Sequence, residues 1–390
     1  MKMWDFQLAH LSNALELGEL TSVELTEECL RRIKLSGCAE QFVSIDAEGA
    51  IAAARASDER RAEGRCLGML DGIPFAAEDR FCAKGMETRG NCEMLRGYKP
   101  PYDAHVLQKF REAGAVLLGK LKSDGFLSGR DEKSKICDGL VGNTGAIPFA
   151  LMAETGGSLL KHGIRDRVAC VSRIPSRFGV ISCAPSFDCV GVMSGTASDC
   201  ACLMNFLNHR EERSDASVER SIKRIAFFGV SELFVPDAEC RRVDLPDLKI
   251  LAKTYGVLSA VESASEMAMY DGIRFGTDVG EPSAIRGRLF SLDEQKLILL
   301  GTALLMDEHR SGCYQAARGW REKLQRELQE LFEENDLLVC PLREDTAFLP
   351  SLAGLSAVSR DGFLWMMPPE REGELLTLAS QVRLERSVEK

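Results

Sequence analysis

Between Asp103 and Lys120 the chain spells out a helix, a stop and a buried strand with almost nothing between them. Asp103 reads as an N-cap, Val106, Leu107 and Phe110 recur at helical spacing, and Gly114 ends the helix. Ala115-Val116-Leu117-Leu118-Gly119-Lys120 follows, too apolar for a strand wetted on one face. Helix then strand through a short connection indicates an α/β layered fold.

The rest of the chain fits that frame. Thr21-Ser22-Val23-Glu24 reads as a capping box, with Leu25, Cys29 and Ile33 on one helical stripe behind it. A second helix is expected after Asp46, ending near Arg65. Gly72-Ile73-Pro74 breaks any helix, and Ile73–Glu78 reads as a short strand, with Pro74, Ala76 and Glu78 on one side. Thr196-Ala197-Ser198-Asp199 caps a helix whose Cys200, Leu203, Met204 and Leu207 face a core. Arg130–Gly145 reads as loop and His209–Lys223 as an exposed connection. Ile225–Phe228 and Leu337–Pro341 read as strands, helices dominate from Leu248 to Asp336, and Glu374–Val382 reads as a closing helix. Without an internal repeat or a dividing linker, residues 1–390 read as one domain.

Composition narrows the function. In 390 residues, 45% hydrophobic and 28% charged content suits a soluble protein with a sizeable core. A net charge of −10 argues against gripping nucleic acid unaided, because phosphate binding needs a basic surface. None of the 14 cysteines forms a C-x-x-C pair; Cys200-Ala201-Cys202 comes nearest and suits neither zinc nor redox chemistry. They read as buried reduced thiols of a cytoplasmic protein. The five histidines are scattered without metal-ligand spacing, and no glycine-rich loop reads as a phosphate cradle, so no cofactor is expected. Lys2 and Asp5 stand where a signal peptide needs an apolar run, and no apolar stretch is long enough for a bilayer.

Chemistry concentrates in Ala153-Glu154-Thr155-Gly156-Gly157-Ser158. Two glycines ahead of a serine let the backbone approach a ligand and expose a hydroxyl beside amide donors. Upstream stands Leu70-Asp71-Gly72-Ile73-Pro74-Phe75-Ala76-Ala77-Glu78-Asp79. Thr88, Pro101-Tyr102-Asp103-Ala104, Gly119-Lys120-Leu121, Ser176-Arg177-Phe178-Gly179 and Ser186-Phe187-Asp188-Cys189-Val190-Gly191 follow in order. Glu262-Ser263-Ala264-Ser265, Tyr270–Gly276, Gly301-Thr302-Ala303-Leu304 and Leu352-Ala353-Gly354-Leu355 complete the series.

In that order these stretches resemble the amidase signature family, and within it the A subunits of tRNA-dependent amidotransferases. The resemblance implies one domain with a central mixed β-sheet flanked by helices on both faces. It implies a serine–serine–lysine relay, in which a buried neutral lysine takes a proton through a bridging serine from the nucleophilic serine. Ser158 matches the nucleophile, and Thr155, Gly156 and Gly157 match the loop whose amides bind the oxyanion. It also implies B and C subunits as partners.

Several positions depart from the pattern. Glu78 stands in place of the lysine, with the opposite charge and a shorter reach. No glycine- and serine-rich run precedes Ser158; Ser134, flanked by Lys133 and Lys135, is the candidate bridge. Lys135 is a candidate partner for Glu78. Glu154 replaces an aspartate, Leu160-Lys161-His162 replaces Arg-Gln-Pro, and the substrate-gripping arginine falls near Lys296. These changes favour a degenerate member without amide hydrolysis that acts as a binding or regulatory partner. The alternative is an active amidase in which Ser158 is served by a rearranged base: Glu78, a lysine, or His162, one helical turn on. The plainer reading of His162 is an exposed helix residue.

Overall fold

The computed structural model describes residues 6–90, 92–122, 139–163, 167–208, 222–235, 237–245, 247–271, 273, 275 and 281–381. Its eleven described strands are β1 (Phe42–Ile45), β2 (Pro74–Glu78), β3 (Val116–Leu121), β4 (Phe149–Glu154), β5 (Val168–Ser172) and β6 (Cys189–Ser194), then β7 (Arg224–Phe227), β8 (Glu239–Arg242), β9 (Leu337–Pro341), β10 (Ser356–Arg360) and β11 (Phe363–Met367). They join into one mixed sheet in the order β1-β3-β2-β4-β6-β5-β10-β11-β9-β7-β8. Strand β2 runs parallel to both β3 and β4, while β6 returns antiparallel to β4 and β5.

Every residue of β2, β3 and β4 is buried, as expected of strands covered on both faces. Helices Ser22–Leu35 and Ala47–Ala62 pack over β2 and β3; Ala197–Leu207 and Glu372–Gln381 pack over β5, β6 and β10. Helix Leu248–Met267 packs against both Leu292–Leu305 and Gln315–Glu334. The capping box forms at Thr21, whose Oγ1 accepts the Glu24 N–H at 3.1 Å while Glu24 accepts the Thr21 N–H at 2.9 Å. A second one, Ser291 with Glu294, starts helix Leu292–Leu305 and went unread in the sequence.

Asp103 does not cap the following helix. The N-cap is Ala104, and the Asp103 carboxylate accepts the Lys84 N–H at 2.7 Å and pairs with Arg111 at 3.4 Å. The helix is anchored by backbone instead: the Ala104 and His105 N–H groups donate to the carbonyls of Cys82 and Phe178. An orphan donor needs an acceptor but not a particular one. The interval expected to be loop is described only from residue 139, where it forms turns, and the expected connection only from residue 222. Among the described residues no helix is long and apolar enough to cross a membrane.

Phe75 of β2 stacks on Phe149 of β4 at 5.1 Å between ring centroids, and Phe110 closes the cluster at 5.2 and 5.4 Å. All three rings are fully buried. Phe149→Ala is expected to cost about 3–5 kcal/mol. In urea unfolding this appears as a lower midpoint with an unchanged slope.

Candidate active site

Because β2 and β4 are parallel neighbours, their C-terminal ends emerge together, and the Thr155–Ser158 turn leaves β4 beside the end of β2. Glu78, the last residue of β2, is buried and accepts the Ala153 N–H at 2.7 Å through Oε2. A carboxylate here is thus tied to the strand that carries the serine loop.

The cation of this centre comes from Arg80, two residues on and 4% exposed. Its guanidinium donates to the Ile181 carbonyl at 2.9 Å, the Thr155 hydroxyl at 3.0 Å and Asp188 Oδ1 at 2.9 Å. Asp188 is equally buried, and its oxygens also accept from the Thr155 and Ser182 hydroxyls and the Cys183 and Ala184 N–H groups. Burial alone would pull the Arg80 guanidinium down, but Asp188 and Glu78 more than offset this and push it up. Burial alone would raise the Asp188 carboxyl; Arg80 and the hydroxyl and amide donors reverse that and hold it low. A guanidinium does not surrender its proton in a protein, so Arg80 is a fixed cation and not a base.

The serine loop is closed upon itself. Gly156 and Gly157 have φ of +68° and +92°, and a Cβ at either would meet Tyr255 Oη at 1.9 Å or Ala347 Cβ at 2.6 Å. Only glycine fits both the dihedrals and the crowding. The structure turns these two amides, expected as oxyanion donors, onto acceptors of the protein itself. The Gly156 N–H donates to Ser351 Oγ at 3.1 Å, and the Gly157 N–H donates to Glu154. Glu154 is fully buried and also accepts from the Leu159 and Leu160 N–H groups at 2.6 and 3.2 Å. Burial pushes its carboxyl up, and those three amides oppose the shift.

Ser158 Oγ accepts the Thr155 N–H at 3.3 Å, and among the described residues no carboxylate, imidazole or amine accepts a hydrogen bond from it. His162 is not the exposed helix residue expected. It ends a 3-10 turn, Leu160–His162, that begins after Ser158, and the protein partly encloses its ring. Burial, helped by Arg167 and Lys161, pushes its pKa down to about 4. Lys296 stands at the surface, paired with Asp293 at 2.9 Å. Ser134 and Lys135 lie outside the described residues.

Reading the sequence missed Arg80, Ser351 and Tyr255, and quoted Asp188 without a role. The available signal was local: an arginine two residues after the glutamate that replaces a lysine. A second buried pair flanks the site, Asp79 with Lys120 at 3.2 Å. Lys120 also donates to the Phe81 carbonyl at 2.6 Å and Thr88 Oγ1 at 3.2 Å. Burial pushes the Lys120 amine down and the Asp79 carboxyl up. No group of His, Cys, Asp or Glu among the described residues is arranged to hold a metal ion.

The chain is similar to known proteins over most of its length. The sequence pattern of the family described as Amidase matches residues 24–158. The glutamyl-tRNA(Gln) amidotransferase A subunit of Chloroflexus aggregans is 30% identical, over 86% of this chain and 81% of its own. That of Methylococcus capsulatus is 32% identical, over 87% and 83%. Among solved structures, an amidase superposes with a TM-score of 0.78 at 21% identity, covering 96% of this chain and 98% of its own. The peptide amidase of Stenotrophomonas maltophilia gives 0.74 at 21% identity, covering 96% and 95%.

The enclosed, neutral His162 makes stability depend on pH. Its folded pKa, about 4, lies below the roughly 6.5 of an unfolded histidine, so protons favour the unfolded chain. The stabilisation is complete above about pH 6.5 and is lost as pH falls towards 4, a change of about 1–3 kcal/mol. Denaturation midpoints taken from pH 7 to 4 are expected to fall less steeply in His162→Asn than in wild type.

Proposed function

The chain belongs to the amidase signature family, and from that premise we propose that it keeps the family's fold without serine–lysine amide hydrolysis and serves as a binding partner. One observation carries the reading: the buried Arg80 guanidinium, held by Thr155 and Asp188 with Glu78 beside it. The relay needs a neutral amine that accepts a proton. A permanent cation and a carboxylate tied to a backbone amide do not supply one. The partnered amides of Gly156 and Gly157 point the same way, since a donor already engaged is not preorganised for an oxyanion. Relatives at about 30% identity are named as one subunit of an amidotransferase, which supports other subunits of such an assembly, B and C, as the partners of this chain in the cytoplasm.

A second reading rests on the intact Thr155-Gly156-Gly157-Ser158 turn and on a histidine kept neutral four residues later. In it Ser158 remains a nucleophile with a rearranged base, and the chain is an amidase.

Ammonia release from glutamine and asparagine separates the two. We expect none from the wild-type protein and none from Ser158→Ala. Release from Glu78→Lys would show that only the base was lost. Release from wild type that Ser158→Ala abolishes would overturn the proposal and establish the second reading.

A further inference from the structure

Asp188 also lines a cavity of about 270 Å³, whose other walls are Arg177, Val180, Ser182, Pro185 and Glu266. Drug-sized ligands occupy pockets of roughly 300–1,000 Å³, so this space suits a small molecule. Among the described residues, the charges around it are already committed, with one exception. Asp188 is satisfied by Arg80, Thr155, Ser182 and two backbone amides. Arg321 donates to the Ser186 hydroxyl and carbonyl and to the Leu352 carbonyl. Arg286 covers the carbonyls of Met267, Ala268 and Tyr270. Arg177 donates to the Pro185 carbonyl and is exposed, so water screens its charge. Glu262, one turn before Glu266 on helix Leu248–Met267, accepts from the Ser186 N–H at 2.8 Å and from the Ser186 hydroxyl.

The exception is Glu266. It is half-buried and makes no ion pair among the described residues. Burial, then the charges of Asp188 and Glu262, push its carboxyl up, with Arg177 and the Ser182 hydroxyl opposing. A carboxylate in that position gains from a cation brought into the cavity, and Val180 and Pro185 offer apolar walls beside it.

We propose that this cavity binds a small alkylammonium ion, with Glu266 as its counter-ion and Val180 and Pro185 against its alkyl chain. The proposal goes beyond the reading above and does not depend on whether Ser158 reacts, since it concerns binding of an ion with no amide to cleave.

Titration calorimetry of the full chain at low salt tests it, with n-butylammonium as the probe and butanol and butyrate as its neutral and anionic counterparts. Butylammonium is expected to bind, and the other two to bind at least about tenfold more weakly. Glu266→Gln should weaken butylammonium at least about tenfold, while Arg241→Gln, at the exposed Arg241–Glu334 pair on strand β8, leaves it within about twofold. In parallel, methyl NMR of the wild-type chain should show the Val180 resonances moving with butylammonium and not with butanol, a readout that needs no variant to fold. Equal binding of the three probes, full affinity in a folded Glu266→Gln protein, or unmoved Val180 resonances would overturn the proposal.

Discussion

The Arg80–Asp188 pair is the interaction on which the centre depends, because it gathers three separate pieces of chain. Arg80 follows β2, Thr155 follows β4, and Asp188 precedes β6; the guanidinium and carboxylate meet with almost no exposure to water. Burying two charges costs several kcal/mol per ion, and their attraction repays it only when the remaining hydrogen-bonding capacity is filled. Here it is filled. Arg80 spends one donor on the Ile181 carbonyl, and Asp188 takes two hydroxyls and two amides besides the guanidinium. A pair so completely satisfied resists removal of either partner, because the survivor would remain charged and buried.

That arrangement governs the chemistry left to the serine. A hydroxyl attacks an amide only when a positioned base takes its proton, and bases are neutral amines, imidazoles or carboxylates with a free lone pair. The field of Asp188 and Glu78 keeps Arg80 charged, and Glu78 itself is drawn to the Ala153 amide. His162 is neutral, but it ends a 3-10 turn, and among the described residues no hydrogen bond joins its ring to Ser158. The glycine turn is fixed by its own crowding against Tyr255 and Ala347, independently of any contact with Glu78.

What could be read from the sequence was what depends on neighbours in the chain. Strand β3, the Thr21 capping box and the stripe at Cys200, Leu203, Met204 and Leu207 are local patterns, and each stands where it was expected. Strands β5, β6, β10 and β11 were not read individually. They are short and buried throughout or nearly so, and they pair antiparallel among themselves and with β4 and β9, so they show neither alternation nor a helix to frame them. The Asp103 cap failed because a nearer claim on its carboxylate, the Lys84 amide, exists only after the chain has folded back. The departure of Glu78 from the lysine that the resemblance implies was visible from one residue. The meaning of Arg80 was not, because its partner lies 108 residues away.

The closure of the serine loop follows from the same physics as the ion pair. Glu154 ends a fully buried strand, and a carboxylate there must find donors or become neutral. The nearest donors are the amides of its own turn, and it takes those of Gly157, Leu159 and Leu160, while Ser351 takes that of Gly156. An incoming anion would have to displace these acceptors from the Gly156 and Gly157 amides. Those hydrogen bonds hold the turn in the resting protein. A loop built this way is a structural element in which both glycine amides already have acceptors within the protein.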